Sequence, residues 1–111
     1  MWVISEFGFF SVVGKPGDRE TVMLTVRARV KADLEALRKT CLPTLGPIGI
    51  SCTIDYRYRA KATRVEVAAA MAQAVQNIGY DNFKSKVKKQ QGAPRAEVYG
   101  LVWEDLLALQ R

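Results

Sequence analysis

Residues Thr21 to Arg29 alternate between apolar and polar side chains, and a two-residue period over this length is the pattern of a half-buried β-strand. Val22, Leu24, Val26 and Ala28 fall on one face; Thr21, Met23, Thr25, Arg27 and Arg29 fall on the other. The preceding segment, Phe7 to Val13, is aromatic and β-branched, and Lys15-Pro16-Gly17-Asp18 between the two supplies turn residues. An antiparallel hairpin follows, and its apolar face must be covered.

Helical segments supply the cover. Asp33 predicts the N-cap of a helix whose Leu34, Leu37, Cys41 and Leu42, extending to Leu45, form one stripe, with Pro43, Gly46 and Pro47 ending it. Ile50 to Lys61 alternates in its second half, with Tyr56, Tyr58 and Ala60 opposite Asp55, Arg57, Arg59 and Lys61, and reads as a third strand with room for a break. Thr63-Arg64-Val65-Glu66 is a capping-box pattern, followed at helical spacing by Val67, Ala68, Met71, Ala72, Val75 and Ile78, with Gly79 as the close. Tyr80 to Gly92 reads as a basic connector. A last helix opens near Pro94 and carries Val98, Val102, Leu106 and Leu109 as its stripe, flanked by Tyr99 and Trp103. The expected architecture is α+β and two-layered: a small antiparallel sheet with helices packed on one face, in the order β-β-α-β-α-α. At 111 residues a single domain spanning 1–111 is expected.

Several function classes drop out. The longest uncharged apolar stretch, Phe7 to Gly14, is of strand length, so no membrane span and no membrane partner are expected. Met1-Trp2-Val3-Ile4-Ser5-Glu6 lacks a basic residue and carries an acidic one, which is not the pattern of a signal peptide. Cys41 and Cys52 have no CxxC spacing and read as reduced thiols, which together with the preceding points gives a cytoplasmic expectation. Histidine is absent, which removes the commonest general base, the usual nucleophilic triads and most transition-metal sites. No phosphate-cradling glycine loop and no nucleophile elbow is present, so no catalytic residue, no metal and no cofactor are expected.

Charge is the informative remainder. The net charge is +6, and all of it lies in residues 55–95, where nine Lys or Arg stand against three Asp or Glu while the rest of the chain holds eight of each. Such an excess favours an anionic partner, nucleic acid or an acidic protein surface. Arg27 and Arg29 with Arg57, Arg59 and Lys61 gather on one strand face if their strands are neighbours, and guanidinium forks suit phosphate or carboxylate. A solvated face neutralised by Asp55 or Glu20 is the other reading of the same pattern. The second constellation is Asn82, Phe83, Lys84, Lys86, Lys88 and Lys89, in which lysines neutralise phosphates and a ring stacks on a base. Its alternative is a solvated helix turn with Phe83 and Val87 facing the core. The aromatic set Trp2, Phe9, Phe10, Tyr56, Tyr58, Tyr80, Tyr99 and Trp103 reads as core packing or a dimer interface. Phe7-Gly8-Phe9-Phe10 is only a partial echo of an RNA-recognition pattern.

The runs Gly8-Phe9-Phe10-Ser11-Val12-Val13, Lys15-Pro16-Gly17-Asp18, Leu24-Thr25-Val26-Arg27-Ala28-Arg29, Asp33-Leu34-Glu35-Ala36-Leu37-Arg38, Asp55-Tyr56-Arg57-Tyr58-Arg59-Ala60, Tyr80-Asp81-Asn82-Phe83-Lys84 and Tyr99-Gly100-Leu101-Val102-Trp103 resemble a family of short bacterial proteins. The resemblance implies no activity, substrate or partner. It implies that Arg27, Arg29, Asp55, Tyr58, Arg59, Asn82, Phe83 and Lys84 are positions where such proteins are alike. The chain departs from that pattern in lacking an acidic residue near Val87, which sets its lysine run apart.

The function expected from sequence is a small basic binding module for an anionic partner, nucleic acid first, without catalysis. The alternative is a protein-interaction or inhibitor protein, either a homodimer or a module docking on an acidic or nucleic-acid-handling protein. A weaker alternative is an enzyme on a phosphorylated small molecule, with Arg27, Arg29 and Arg59 holding the phosphate.

Overall fold

The computed structural model describes residues 1–18, 21–51 and 55–111. Glu20 as a neutralising partner, Cys52 as a thiol and the middle of the expected third strand therefore lie outside the described residues. The elements are β1 (Trp2–Ser5), β2 (Gly8–Val13), β3 (Met23–Ala28), α1 (Lys31–Thr40), β4 (Gly49–Ile50), β5 (Tyr58–Thr63), α2 (Arg64–Gln76), α3 (Phe83–Gln91) and α4 (Ala93–Leu106). Short 3-10 turns lie at Pro16–Asp18 and Leu107–Gln110. The strands form one antiparallel sheet in the order β1-β2-β3-β5-β4, so the fold is the α+β arrangement expected. Among the described residues no helix is long and apolar enough to cross a membrane.

By contact density the chain groups into two compact units, Met1–Val3 with Gly8–Ile78 and Ile4–Phe7 with Gly79–Arg111. In the first, register follows the sequence alternation. Val12 pairs with Val26 and Val26 with Ala60, so Phe10, Val12, Val26, Ala28, Ala60 and Ala62 make one continuous buried face. Leu34 and Leu37 of α1 and Val67 and Ala70 of α2 are buried as well and close the core. The hairpin of β2 and β3 is antiparallel as its turn residues require.

Two local details set the geometry of this unit. Thr63 caps α2 with the full reciprocal box: its hydroxyl accepts from the Glu66 N–H while the Glu66 carboxylate accepts from the Thr63 N–H. Thr63→Ala is therefore expected to cost about 1 kcal/mol, read as a lowered urea midpoint at unchanged m. Asp33 does not cap α1, contrary to its sequence position. The N-cap is Val30, and the Asp33 carboxylate, buried in the first turn, instead accepts from the Phe9 N–H at 3.0 Å. That approach needs a glycine next door, because a Cβ at Gly8 would lie 2.9 Å from Asp33.

The second unit holds α3 and α4. The segment expected as a connector is a helix, with Asn82 as its N-cap accepting from the Ser85 N–H at 2.8 Å. Gly92 ends α3 and starts α4 at φ +93, a backbone region essentially confined to glycine. Most of the expected stripe faces outward: Val98 and Leu106 of α4 and Leu109 beyond it are exposed and Val102 is half-buried, whereas Ala96 and Tyr99 are buried. The reason is the Phe83 ring, stacked on Tyr99 at 6.0 Å and 8° between planes, which fixes the side of α4 that meets α3. The Gln91 side-chain amide donates to the Glu6 carbonyl at 2.6 Å, and burial together with nearby Glu6 raises the Tyr80 phenol above its ordinary pKa.

α2 keeps part of its expected face, with Val67 buried beside Ala70 and Met71 half-buried, but Ala68, Ala72, Val75 and, beyond the helix, Ile78 are exposed. The expected third strand is split into β4 and β5, and β1 is an edge strand that sequence alternation did not mark.

Candidate anion-binding face

On the sheet face opposite the core, the strand registers line up one transverse row. Ser11 of β2 pairs with Arg27 of β3, Arg27 with Arg59 of β5, and Arg59 with Gly49 of β4. At the other end Met1 and Val12 exchange both backbone hydrogen bonds, at 2.8 and 2.9 Å, so the next residue, Trp2, stands beside Ser11. Two arginines thus stand opposite each other on neighbouring strands, and like charges in such a cross-strand pair cost energy unless something negative lies with them.

Their surroundings hold them in place without neutralising them. Arg27 donates from Nη2 to Ser11 Oγ at 2.7 Å and lies over the Tyr56 ring with its Cζ 4.4 Å from the centroid. Arg59 donates from Nη2 to the Tyr56 carbonyl at 3.4 Å. The Nε atoms of both arginines are buried and have no hydrogen-bond partner among the described residues. No carboxylate among the described residues is within ion-pair distance of either guanidinium. A buried unpaired donor costs about 1–3 kcal/mol, so each of the two arginines carries an unmet demand for an acceptor.

The adjacent row contrasts with it. Val13 pairs with Thr25 and Thr25 with Lys61, and this lysine is already matched. Its Nζ meets Asp18 at 2.5 Å, the other Asp18 oxygen accepts from Thr25 Oγ at 2.7 Å and from the Lys15 N–H at 3.0 Å, and the aspartate is only 1% exposed. The hydrogen bond from Lys61, then those from Thr25 and Lys15, hold the Asp18 carboxyl down at about 2 from its ordinary 3.8. A cleft of about 630 Å³ opens beside these rows, lined among others by Lys15, Thr25, Gly46, Pro47, Arg59 and Lys61.

An aromatic row completes the face. Trp2 meets Phe9 edge-to-face at 5.6 Å, Phe9 lies 6.3 Å from Tyr56, and Arg29 reaches over the same Tyr56 ring at 5.2 Å. Comparison with protein-family models, curated proteins and solved structures finds no match. The chemistry of this face therefore stands on its own geometry.

Of the residues expected at the site, the structure brings Arg27, Arg29 and Arg59 together around Tyr56. Lys61 shares their face but its charge is matched by Asp18, and Arg57 is exposed in the segment before β5. Asn82, Phe83, Lys84, Lys86, Lys88 and Lys89 belong to α3 and its cap in the other unit. Asn82 is engaged as the cap and Phe83 in the stack on Tyr99, while Lys84 and Lys88 lie one turn apart on the same side of α3. Lys84 Nζ would sit 3.3 Å from a Cβ at Gly100. Four residues of the arginine face were not expected there: Ser11, for which alternation along Phe9, Ser11 and Val13 was the available signal, Trp2 and Tyr56, which read as core packing or a dimer interface, and Asp18, which read as a turn residue.

Proposed function

We propose that the sheet face centred on Arg27 and Arg59 is a binding site for the phosphates of a nucleic acid, and that the protein acts as a binding module without catalysis. The observation that carries this reading is the cross-strand arginine pair whose Nε–H donors are buried, unpartnered and unmatched by any carboxylate among the described residues. A phosphate oxygen set between them relieves both the like-charge opposition and the unmet donors at once. Tyr56 fixes Arg27 by stacking and Arg59 through its carbonyl, so the forks are ordered before the ligand arrives. The lysines of α3, in the other unit, are a separate source of sequence-independent attraction for the same class of ligand.

The test is titration of labelled oligonucleotides by fluorescence anisotropy over a range of salt. If Arg27, Arg29 and Arg59 neutralise three phosphates of a single strand, the log–log salt slope is expected to be about −2. A flat salt response, or wild-type affinity in an Arg27→Ala/Arg59→Ala double variant that melts normally, would overturn the reading.

A further inference from the structure

We infer that the nucleic acid taken by this face is single-stranded, with one unpaired base stacked on Trp2; this rests on the phosphate reading of Arg27 and Arg59 given above. Trp2 is 66% exposed, yet it is not a loosely held surface ring. The β1–β2 pairing fixes its backbone, and the edge of the contact with Phe9, 89° between planes, fixes its side chain. Phe9 is in turn backed by Tyr56, the ring that carries Arg27 and Arg29. The aromatic surface and the guanidinium pair are therefore parts of one continuous array.

The spacing of the array selects the ligand. Trp2, Ser11, Arg27 and Arg59 stand on successive strands, and strands are about 4.8 Å apart, so the open ring lies about 10 Å from the first arginine column. A nucleotide whose phosphate sits at the arginines carries its base outward through the sugar toward that ring. Only an unpaired base has a free face to offer. In a duplex the faces are stacked within the helix, and a flat protein surface reaches phosphates alone. Stacking on a single ring tolerates every base, so the preference is for strand type and not for sequence.

The experiment uses Trp103→Phe as background, which leaves Trp2 as the one tryptophan. A short oligo(dT), a duplex of the same length and inorganic polyphosphate are titrated at low salt, reading tryptophan fluorescence and competition against a labelled oligonucleotide. The expected result is quenching by oligo(dT) and an affinity about 10-fold above that for polyphosphate. Trp2→Ala should lose that preference and keep its polyphosphate affinity, while Trp2→Phe, which retains a ring, should keep most of it. Equal binding of all three ligands without quenching, or tighter binding of the duplex, overturns the single-strand inference and leaves the phosphate reading standing. Binding of none of the three overturns the phosphate reading itself.

Discussion

Replacing Arg59 by glutamate is expected to raise the thermal stability of the protein while removing its affinity for anions. In the native register Arg59 stands directly opposite Arg27, and no carboxylate among the described residues offsets either charge. A glutamate at that place turns a repulsive cross-strand pair into an attractive one, a change of about 1 kcal/mol in favour of the fold, and gives the buried Arg27 Nε an acceptor. The same carboxylate occupies the place proposed for the phosphate. Loss of one charge-assisted contact plus the added repulsion amounts to about 3 kcal/mol, or roughly 100-fold in dissociation constant. Paired melting curves and anisotropy titrations check both halves. A variant that melts higher and still binds would place the anion elsewhere on the molecule; one that melts lower would mean that the bond from Arg59 to the Tyr56 carbonyl outweighs the repulsion.

Asp18→Ala is expected to destabilise the fold by about 3 kcal/mol at neutral pH, and the deficit should shrink in acid. The aspartate is buried and receives Lys61, Thr25 and the Lys15 N–H, so its removal strips the buried Thr25 hydroxyl and a backbone donor of their acceptor. Lys61 adds less, because its side chain is 54% exposed and water replaces the lost partner. The carboxyl titrates at about 2 in the folded protein against an ordinary 3.8. A group whose folded pKa lies below its unfolded value contributes its full stabilisation above about pH 4. That contribution fades as pH falls through 3.8 toward 2, where the unfolded chain takes up the proton first. Denaturant melts of wild type and variant at pH 7 and pH 2.5 should converge at the lower pH, and Asp18→Asn should show the same convergence with a smaller gap at neutral pH. A gap that does not change with pH would show that shape, not charge, is what Asp18 supplies.

What was legible in the chain was local. The alternation of Thr21 to Arg29, the turn at Lys15 to Asp18 and the capping box at Thr63 all rest on contacts within a few residues, and each is found in place. The pairing of Arg27 with Arg59 depends on β3 and β5 being neighbours across an intervening helix, which no local pattern decides. Lys61 looks equivalent to Arg59 in the alternation, yet a buried aspartate in a distant turn cancels it. Asp33 has the composition of a helix cap and instead serves the backbone of β2. The α4 stripe was drawn on bulky aliphatic residues, whereas the stack of Phe83 on Tyr99 settles the orientation and leaves Leu106 and Leu109 in water. The lysines that made Tyr80 to Gly92 read as a connector are good helix formers, and the Asn82 cap starts the helix Phe83–Gln91 within it.

The border of the sheet formed by β4 is only Gly49 and Ile50 long, with Pro47 just before it. A neighbouring molecule seeking to extend the sheet from that side would find two rungs and then a residue with no N–H to give. Growth of the sheet by strand addition is expected to stall on that side before it can propagate, so any self-association through the uncovered Val and Leu side chains of the helices would have to use side-chain packing and not backbone pairing.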